Sequence, residues 1–350
     1  MPAAALVAVF AASAAVIWIA GVHLASSTDT LDGRLGLGSA LGGLILLAFA
    51  TNLPEVAITV TAAASGHVAL AIGNLLGGIA IQTVVLAVLD TAVRGDRPLS
   101  YLAGSLVVVL EAGLVIAVVV VAMMSTLLPE SAAIGAVSPG SIAIVAMWGA
   151  GLFIVDRAQR GIAWRAEAPE ADPGRSRPAR RKEEGTGRHR RRSTRAVVAI
   201  FGAAALATLA GGVAIEQSGD ALAGKLGLGG AVFGATVLAA ATALPEISTG
   251  FASVRIGDHQ LVFSDIFGGN AFLPVLFLVA DLIAGRQVLL GAADTDVWMA
   301  GLGILLTAIY LVGIVMRPKR RLFGRLGVDS LAVILIYALG IVGLAVINGA

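Results

Sequence analysis

Apolar residues in this chain run in blocks too long for the helices of a soluble protein. Windows of Val, Leu, Ile, Ala and Phe, bounded by charged or turn residues, recur near 4–23, 36–64, 68–93, 98–124, 131–156, 195–217, 224–254, 259–284, 296–316 and 327–347. About 20 apolar residues in helical conformation cross the hydrocarbon of a bilayer. The pattern therefore predicts an all-α integral membrane fold of ten transmembrane helices. The second and seventh windows are long and carry an internal proline, Pro54 and Pro245. Proline lacks an N–H and its ring clashes with the preceding turn, so both are expected as broken helices, a form that membranes tolerate where the opened backbone lines a cavity. The third and eighth windows are Gly-rich, with the pairs Gly77-Gly78 and Gly268-Gly269, which allow close backbone approach.

The stretch 157–194 breaks this pattern. It is rich in Arg, Glu, Pro and Gly and has almost no large apolar residue. Such a segment cannot bury a core and is expected as a disordered linker. It divides the chain into a first five-helix unit, 1–156, and a second, 195–350.

Basic residues set the expected orientation. If the linker is cytoplasmic, Lys225 and Arg286 are the two of the 24 Lys and Arg residues that fall on the opposite side. With the linker left aside, Arg34, Arg94, Arg97, Arg255 and the five in 317–325 still stand against those two. The positive-inside rule then places both termini outside.

The second unit repeats the first. Shifted by 191 residues, LDGRLGLGSALGGLILLAFATNLPEV at 31–56 meets LAGKLGLGGAVFGATVLAAATALPEI at 222–247 without a gap, and about 20 of the 52 positions in 31–82 match 222–273. The correspondence reaches back to Phe10 on Phe201 and Asp29 on Asp220. The first window thus corresponds to the sixth. With no basic leading segment either, it is expected as a retained helix and not as a signal peptide. Five helices per unit, an odd number, send the second unit into the membrane from the opposite side, giving an inverted repeat.

Composition narrows the function. The chain is 58% apolar and 13% charged, against about 25% charged in soluble domains. A net charge of +2 gives no basis for a nucleic-acid partner. There is no cysteine, which excludes disulfides, thiol catalysis and thiolate metal sites. The four histidines show no metal-ligand spacing. Phosphate loops, dinucleotide fingerprints and serine elbows are absent, so neither an enzyme nor a resident cofactor is indicated. The partners implied are inorganic cations and the lipid bilayer.

Two acids carry the chemistry. Glu55 and Glu246 sit near the middle of their windows, each directly after the proline. A carboxylate at that depth is costly and marks a functional site. The prolines also free nearby carbonyls: those of Ala50 and Ala241 lose their helical donors, and those of Thr51 and Thr242 are displaced. Two carboxylates with several carbonyls make an oxygen-only site suited to a hard cation such as Ca²⁺ or Na⁺. On the following helices, spacing of four aligns Asn74, Gly78 and Gln82 on one face, and Asp265, Gly269 and Leu273 on the corresponding face. Asp265 is a further acid within a predicted span. Asn270 lies about 100° around the helix from Gly269 and is expected to face elsewhere. One Ca²⁺, or two Na⁺ or H⁺, neutralises the glutamate pair, whereas the empty pair leaves two like charges in a low dielectric. A site that reorients readily only when loaded gives obligatory antiport.

ATNLPE with GNLLGG, and ATALPE with SDIFGGN, resemble the two α-repeats of the calcium/cation antiporter superfamily, which includes sodium/calcium and proton/calcium exchangers. The resemblance implies that Glu55 and Glu246 are the main Ca²⁺ ligands, helped by the carbonyls of Thr51 and Thr242. The sequence departs from the family pattern in three ways. The serine after each threonine is Asn52 or Ala243. The serine after glycine in the later motif is Gly78 or Gly269. The Asn or Asp found 27 residues after each glutamate is Gln82 or Leu273. Loss of the second polar group is expected to remove or alter a monovalent-cation or proton site, with Asp265, on the face of Leu273, compensating in part. The leading expectation is exchange of Ca²⁺ for Na⁺ or H⁺. The alternatives are a monovalent Na⁺/H⁺ antiporter, an exchanger of another divalent ion, or a membrane scaffold that has kept the fold.

Overall fold

The computed structural model describes residues 1–35, 49–161, 193–322 and 324–349. The chain is built almost wholly of helices. In chain order these are α1 (Ala3–Leu35), α2 (Leu53–Ser65), α3 (Val68–Asp90), α4 (Leu106–Ser125), α5 (Pro139–Gly161) and α6 (Thr194–Leu226). They are followed by α7 (Gly230–Ile256), α8 (His259–Ala284), α9 (Asp294–Met316) and α10 (Val328–Gly349). Among the described residues nine helices are long and apolar enough to cross a membrane. The tenth span is α2, whose expected first half, 36–48, lies outside the described residues, as does most of the expected linker 157–194. A short antiparallel pair, β1 (Arg321–Leu322) and β2 (Leu326–Gly327), connects α9 to α10.

The repeat is visible in the element ends. Ala3–Leu35 and Thr194–Leu226 are offset by 191 residues at both ends, and so are Leu53–Ser65 and Leu244–Ile256. The α2–α3 and α7–α8 turns close on Gly66 and Gly257, with φ of 81° and 77°. Glycine enters this left-handed region without a Cβ penalty. Ten spans in two five-helix halves of opposite orientation form the architecture, with α1 and α6 packed along each other and both against the broken helices.

Several boundaries differ from those read from hydropathy. The windows 4–23 and 195–217 are too short, because α1 and α6 each run 33 residues, about 50 Å at 1.5 Å per residue. Hydropathy marks where lipid ends, not where a helix ends. The α1 extension is polar, and inside it the Thr30 hydroxyl donates to the Ser26 carbonyl. The fourth window splits: Leu99–Leu102 is a separate turn, and α4 starts after Ser105, whose hydroxyl accepts from the Val107 N–H. The fifth starts at Pro139, after a 3₁₀ turn at Glu130–Ala132, and α5 continues to Gly161. The eighth helix is itself broken, by a 3₁₀ segment at Leu273–Val275 around Pro274.

Two buried aspartates tie the loops at opposite ends. The Leu99 and Gly327 N–H groups donate to Asp90 at 2.7 and 2.6 Å, and Arg321 pairs with it at 3.4 Å. Asp281 accepts from the Ser138 and Val288 N–H groups at 3.0 and 2.7 Å and from the Ser141 hydroxyl at 2.7 Å. These residues are also offset by 191, so each half uses the same device to anchor the chain leaving α3 or α8.

Candidate cation site

Local backbone places the glutamates. In α2 the helix is interrupted at Asn52 and resumes at Leu53, which puts Pro54 and Glu55 in the first turn. In α7 a π-helical turn at Gly234–Leu238 and a short helix Ala239–Thr242 precede the interruption at Ala243, and Pro245 and Glu246 open the next segment. The first turn of a helix carries partial positive charge and unsatisfied N–H groups. Each carboxylate therefore sits at the positive end of a half-helix, which steadies its charge without supplying a counter-ion.

The surroundings bury both acids. Glu55 and Glu246 are each 1% exposed, and Thr51, Thr242, Asn74 and Gln82 are equally enclosed. Gln82 Nε2 donates to Glu55 Oε1 at 3.3 Å, and the Thr242 side chain also acts on Glu55. Glu55 and Asp265 act on Glu246 as like charges. Glu55 Oε2, both carboxylate oxygens of Glu246, both amide atoms of Asn74 and Gln82 Oε1 have no hydrogen-bond partner among the described residues. A buried polar atom without a partner costs roughly 1–3 kcal/mol. Most of these orphans are acceptors, which is the chemistry of a cation shell.

The expected residues do not all converge equally. Gln82 and, from the other half, Thr242 both reach Glu55. Asp265 takes the Thr249 hydroxyl on its Oδ2 at 2.6 Å, so it lies beside Glu246 but is tied to its own helix pair. Among the described residues no three His, Cys, Asp or Glu side chains gather as a metal site. Any cation shell here therefore draws on amides, hydroxyls and carbonyls besides the glutamates. Asn270 donates to Thr83 Oγ1 at 3.2 Å and to the Ile79 carbonyl at 3.4 Å, both on α3. Gly269 makes room for Asn52, whose Nδ2 lies 2.9 Å from where a Cβ would stand, and a Cβ on Gly78 would stand 3.5 Å from Leu273 Cδ1.

Glycines bring the long helices onto the breaks. A Cβ on Gly21 of α1 would stand 2.9 Å from Pro245 Cβ, and one on Gly212 of α6 would stand 2.5 Å from Ala57 Cβ and 3.2 Å from the Pro54 carbonyl oxygen. Gly21 and Gly212 are 191 residues apart, so α1 and α6 cross the two breaks symmetrically. Sequence reasoning passed over this pair, and also Thr249 and the buried Glu111, whose Oε2 accepts from the Ser264 hydroxyl at 2.6 Å. The repeat offset was the available signal for the glycines. Glu111 has no acidic counterpart, and only its depth in α4 marked it.

A family model described as sodium/calcium exchanger protein matches residues 5–155 and 196–346, again offset by 191. The chain belongs to the sodium/calcium exchanger family. Solved structures agree on the fold. The crystal structure of the H⁺/Ca²⁺ exchanger CAX superposes with a TM-score of 0.62 at 13% identity, covering 99% of this chain and 87% of that one. Native YfkE gives 0.62 at 14% identity, covering 96% and 91%. The sodium-calcium exchanger NCX_Mj gives 0.58 at 14% identity, covering 96% and 97%. A search of curated proteins finds no match. As a member of this exchanger family the chain is an integral membrane cation antiporter.

Proposed function

We propose that the protein exchanges Ca²⁺ for Na⁺ or H⁺ by alternating access, with the transported cation held between Glu55 and Glu246 at the membrane midplane. The observation that carries this reading is the acceptor-rich set of buried atoms without partners among the described residues, on the two half-helix starts and on α3. Thr51 and Thr242 supply backbone carbonyls beside the breaks, Gln82 and Asn74 supply amide oxygens, and Asp265 adds negative potential next to Glu246. One divalent ion balances the two glutamates. Two monovalent ions or protons do the same, so the loaded forms are the ones able to turn over. CAX and NCX_Mj are named for Ca²⁺ exchange with H⁺ and Na⁺ respectively, and this chain's family description names sodium and calcium.

A monovalent Na⁺/H⁺ exchange is the second reading. It is favoured by Leu273, fully buried at the position matching Gln82, which leaves Glu246 without the amide partner that Glu55 has. We propose the plasma membrane as its location, with both termini outside and the 157–194 linker in the cytoplasm; the charge asymmetry of the connections supports this orientation. The test is ⁴⁵Ca²⁺ uptake into proteoliposomes under an imposed Na⁺ or H⁺ gradient. Gradient-driven accumulation supports Ca²⁺ antiport. Na⁺ uptake driven by a pH gradient, with no Ca²⁺ uptake under either gradient, supports the monovalent reading instead.

A further inference from the structure

The two halves match at Glu55 and Glu246 but differ just beside Glu246. The Thr249 hydroxyl donates to Asp265 Oδ2 at 2.6 Å, with the Glu246 carbonyl oxygen at 3.1 Å. The next residue on α8, Ser264, donates to Glu111 Oε2 of α4 at 2.6 Å. Shifted back by 191 residues, Thr249, Ser264 and Asp265 become Ile58, Gly73 and Asn74, and shifted forward Glu111 becomes Leu302. The ladder thus joins Thr249, Ser264 and Asp265 of the second half to Glu111 of the first, and the matching positions, Ile58, Gly73, Asn74 and Leu302, are all neutral.

The ladder has a direction. The second segment of α7 ends at Ile256 and α8 begins at His259, so the α7–α8 turn marks one face. Counting 1.5 Å per residue, Glu246 lies about 15 Å from that face, Thr249 and Asp265 about 10 Å, and Ser264 and Glu111 about 8 Å. The steps run outward from the cation site towards a single side.

The elements packed against α4 are α5, α8 and α9, with the 3₁₀ turns at Leu273–Val275 and Val288–Gly291. Their titratable and charged groups are Asp156 and Arg157 on α5, His259, Asp265 and Asp281 on α8, and Asp294, Asp296 and Tyr310 on α9. The Tyr310 hydroxyl faces Ser330 and Asp281 is held by the loop N–H groups. Among the described residues no cation pairs with Glu111, and its hydrogen-bond partner is Ser264. A carboxyl group buried at this depth with one hydroxyl and no cation carries a proton when its surroundings are neutral.

We propose that Glu111 is the proton-exchanging carboxyl group that couples H⁺ to the cation site, held one residue along α8 from Asp265 by its hydrogen bond from Ser264, with Asp265 in turn fixed beside Glu246 by Thr249. This rests on the antiport reading above and assigns H⁺ as the coupling ion. In the proton-loaded form a Glu111 oxygen holds the proton as O–H. Release to water at the α7–α8 face leaves the carboxylate, whose negative charge adds to that of the glutamate pair and draws a cation into the site. The proton comes from, and returns to, the aqueous phases, and no other reactant is needed.

The experiment uses the full chain in proteoliposomes, with ⁴⁵Ca²⁺ and a trapped pH dye followed together. In the wild type, Ca²⁺ uptake moves protons outward, and the rate changes by about tenfold per pH unit on the limb where one proton limits. Glu111→Gln keeps the shape and still accepts from Ser264, so a purely structural role survives it. The expected result is a flat pH profile and loss of proton counterflux, with ⁴⁵Ca²⁺ binding and Ca²⁺/Ca²⁺ exchange held within about twofold. Glu111→Asp is expected to restore the profile, and Ser264→Ala to shift its midpoint while keeping the protons moved per Ca²⁺. Glu111→Gln with wild-type proton flux and pH profile overturns the proposal, as does a Ser264→Ala midpoint equal to wild type. Wild-type Ca²⁺ uptake without proton movement overturns the coupling assignment but leaves Ca²⁺ antiport standing. Absence of Ca²⁺ binding in the wild type is instead the failure of the functional reading itself.

Discussion

Gln82 Nε2 donates to Glu55 Oε1 at 3.3 Å, while Leu273, at the matching place in the other half, gives Glu246 no such partner. The pair of glutamates is therefore symmetric in backbone and asymmetric in support. Glu55 is held in one orientation by an amide, and Glu246 is held by packing and by the end of its half-helix.

Removing that support should weaken cation binding. Gln82→Leu deletes both the hydrogen bond to Glu55 and an amide oxygen near it. A hydrogen bond to a charged group contributes about 1.5–3 kcal/mol, so the Ca²⁺ concentration for half-maximal uptake is expected to rise by at least about tenfold. Saturation curves of initial ⁴⁵Ca²⁺ uptake check this. A curve unchanged from wild type would remove Gln82 from the site.

The aspartate anchors should matter for stability more than for transport. Asp281 receives three donors and is fully buried. Asp281→Ala leaves those donors without an acceptor, at about 2 kcal/mol, and the melting temperature in detergent is expected to fall by about 5 °C. Transport per folded molecule is expected to stay near wild type. A loss of transport without loss of melting temperature would instead place Asp281 in the transport cycle.

One contact between the long helix α6 and the α2–α3 turn is sensitive to pH. His67 Nδ1 lies 2.8 Å from Glu216 Oε1, with Asp220 3.6 Å from Nε2. The hydrogen bond to Glu216 is the main cause raising the His67 pKa above its ordinary 6.5, opposed by desolvation and helped by the Asp220 charge. A raised folded-state pKa means that the stabilisation is complete below about pH 6.5 and fades as pH rises through the folded value. His67→Gln should therefore lower the melting temperature most at pH values below 6.5 and progressively less at alkaline pH. A wild-type-to-variant difference that does not change with pH would contradict the pairing.

Much of the fold was legible because lipid makes a simple demand: long apolar windows and, at a 191-residue offset, the same windows again. Glu55, Glu246 and their prolines stood out for the same reason, since acids and prolines are rare inside such windows. The ends of α1 and α6 were not legible from hydropathy, because their last turns are helical but polar. The break in α8 falls at Pro274, a proline inside an apolar window like Pro54 and Pro245 but with no acid beside it to mark it. The Asp90/Asp281 and Gly21/Gly212 pairs share the repeat offset, yet a loop anchor and a helix crossing appear only when distant segments are brought together. Which oxygens approach Glu246 depends on side-chain directions across α3, α7 and α8, and no spacing rule supplies that.

The central claim is that Glu55 and Glu246 together hold the transported cation, and equilibrium ⁴⁵Ca²⁺ binding to the purified full chain tests it most directly. The wild type is expected to bind a single Ca²⁺. Glu55→Gln and Glu246→Gln are each expected to lose about 3 kcal/mol, a more than hundredfold weakening, while Glu216→Gln, a buried acid outside the site, keeps wild-type affinity. Wild-type binding in both glutamate variants would contradict the account.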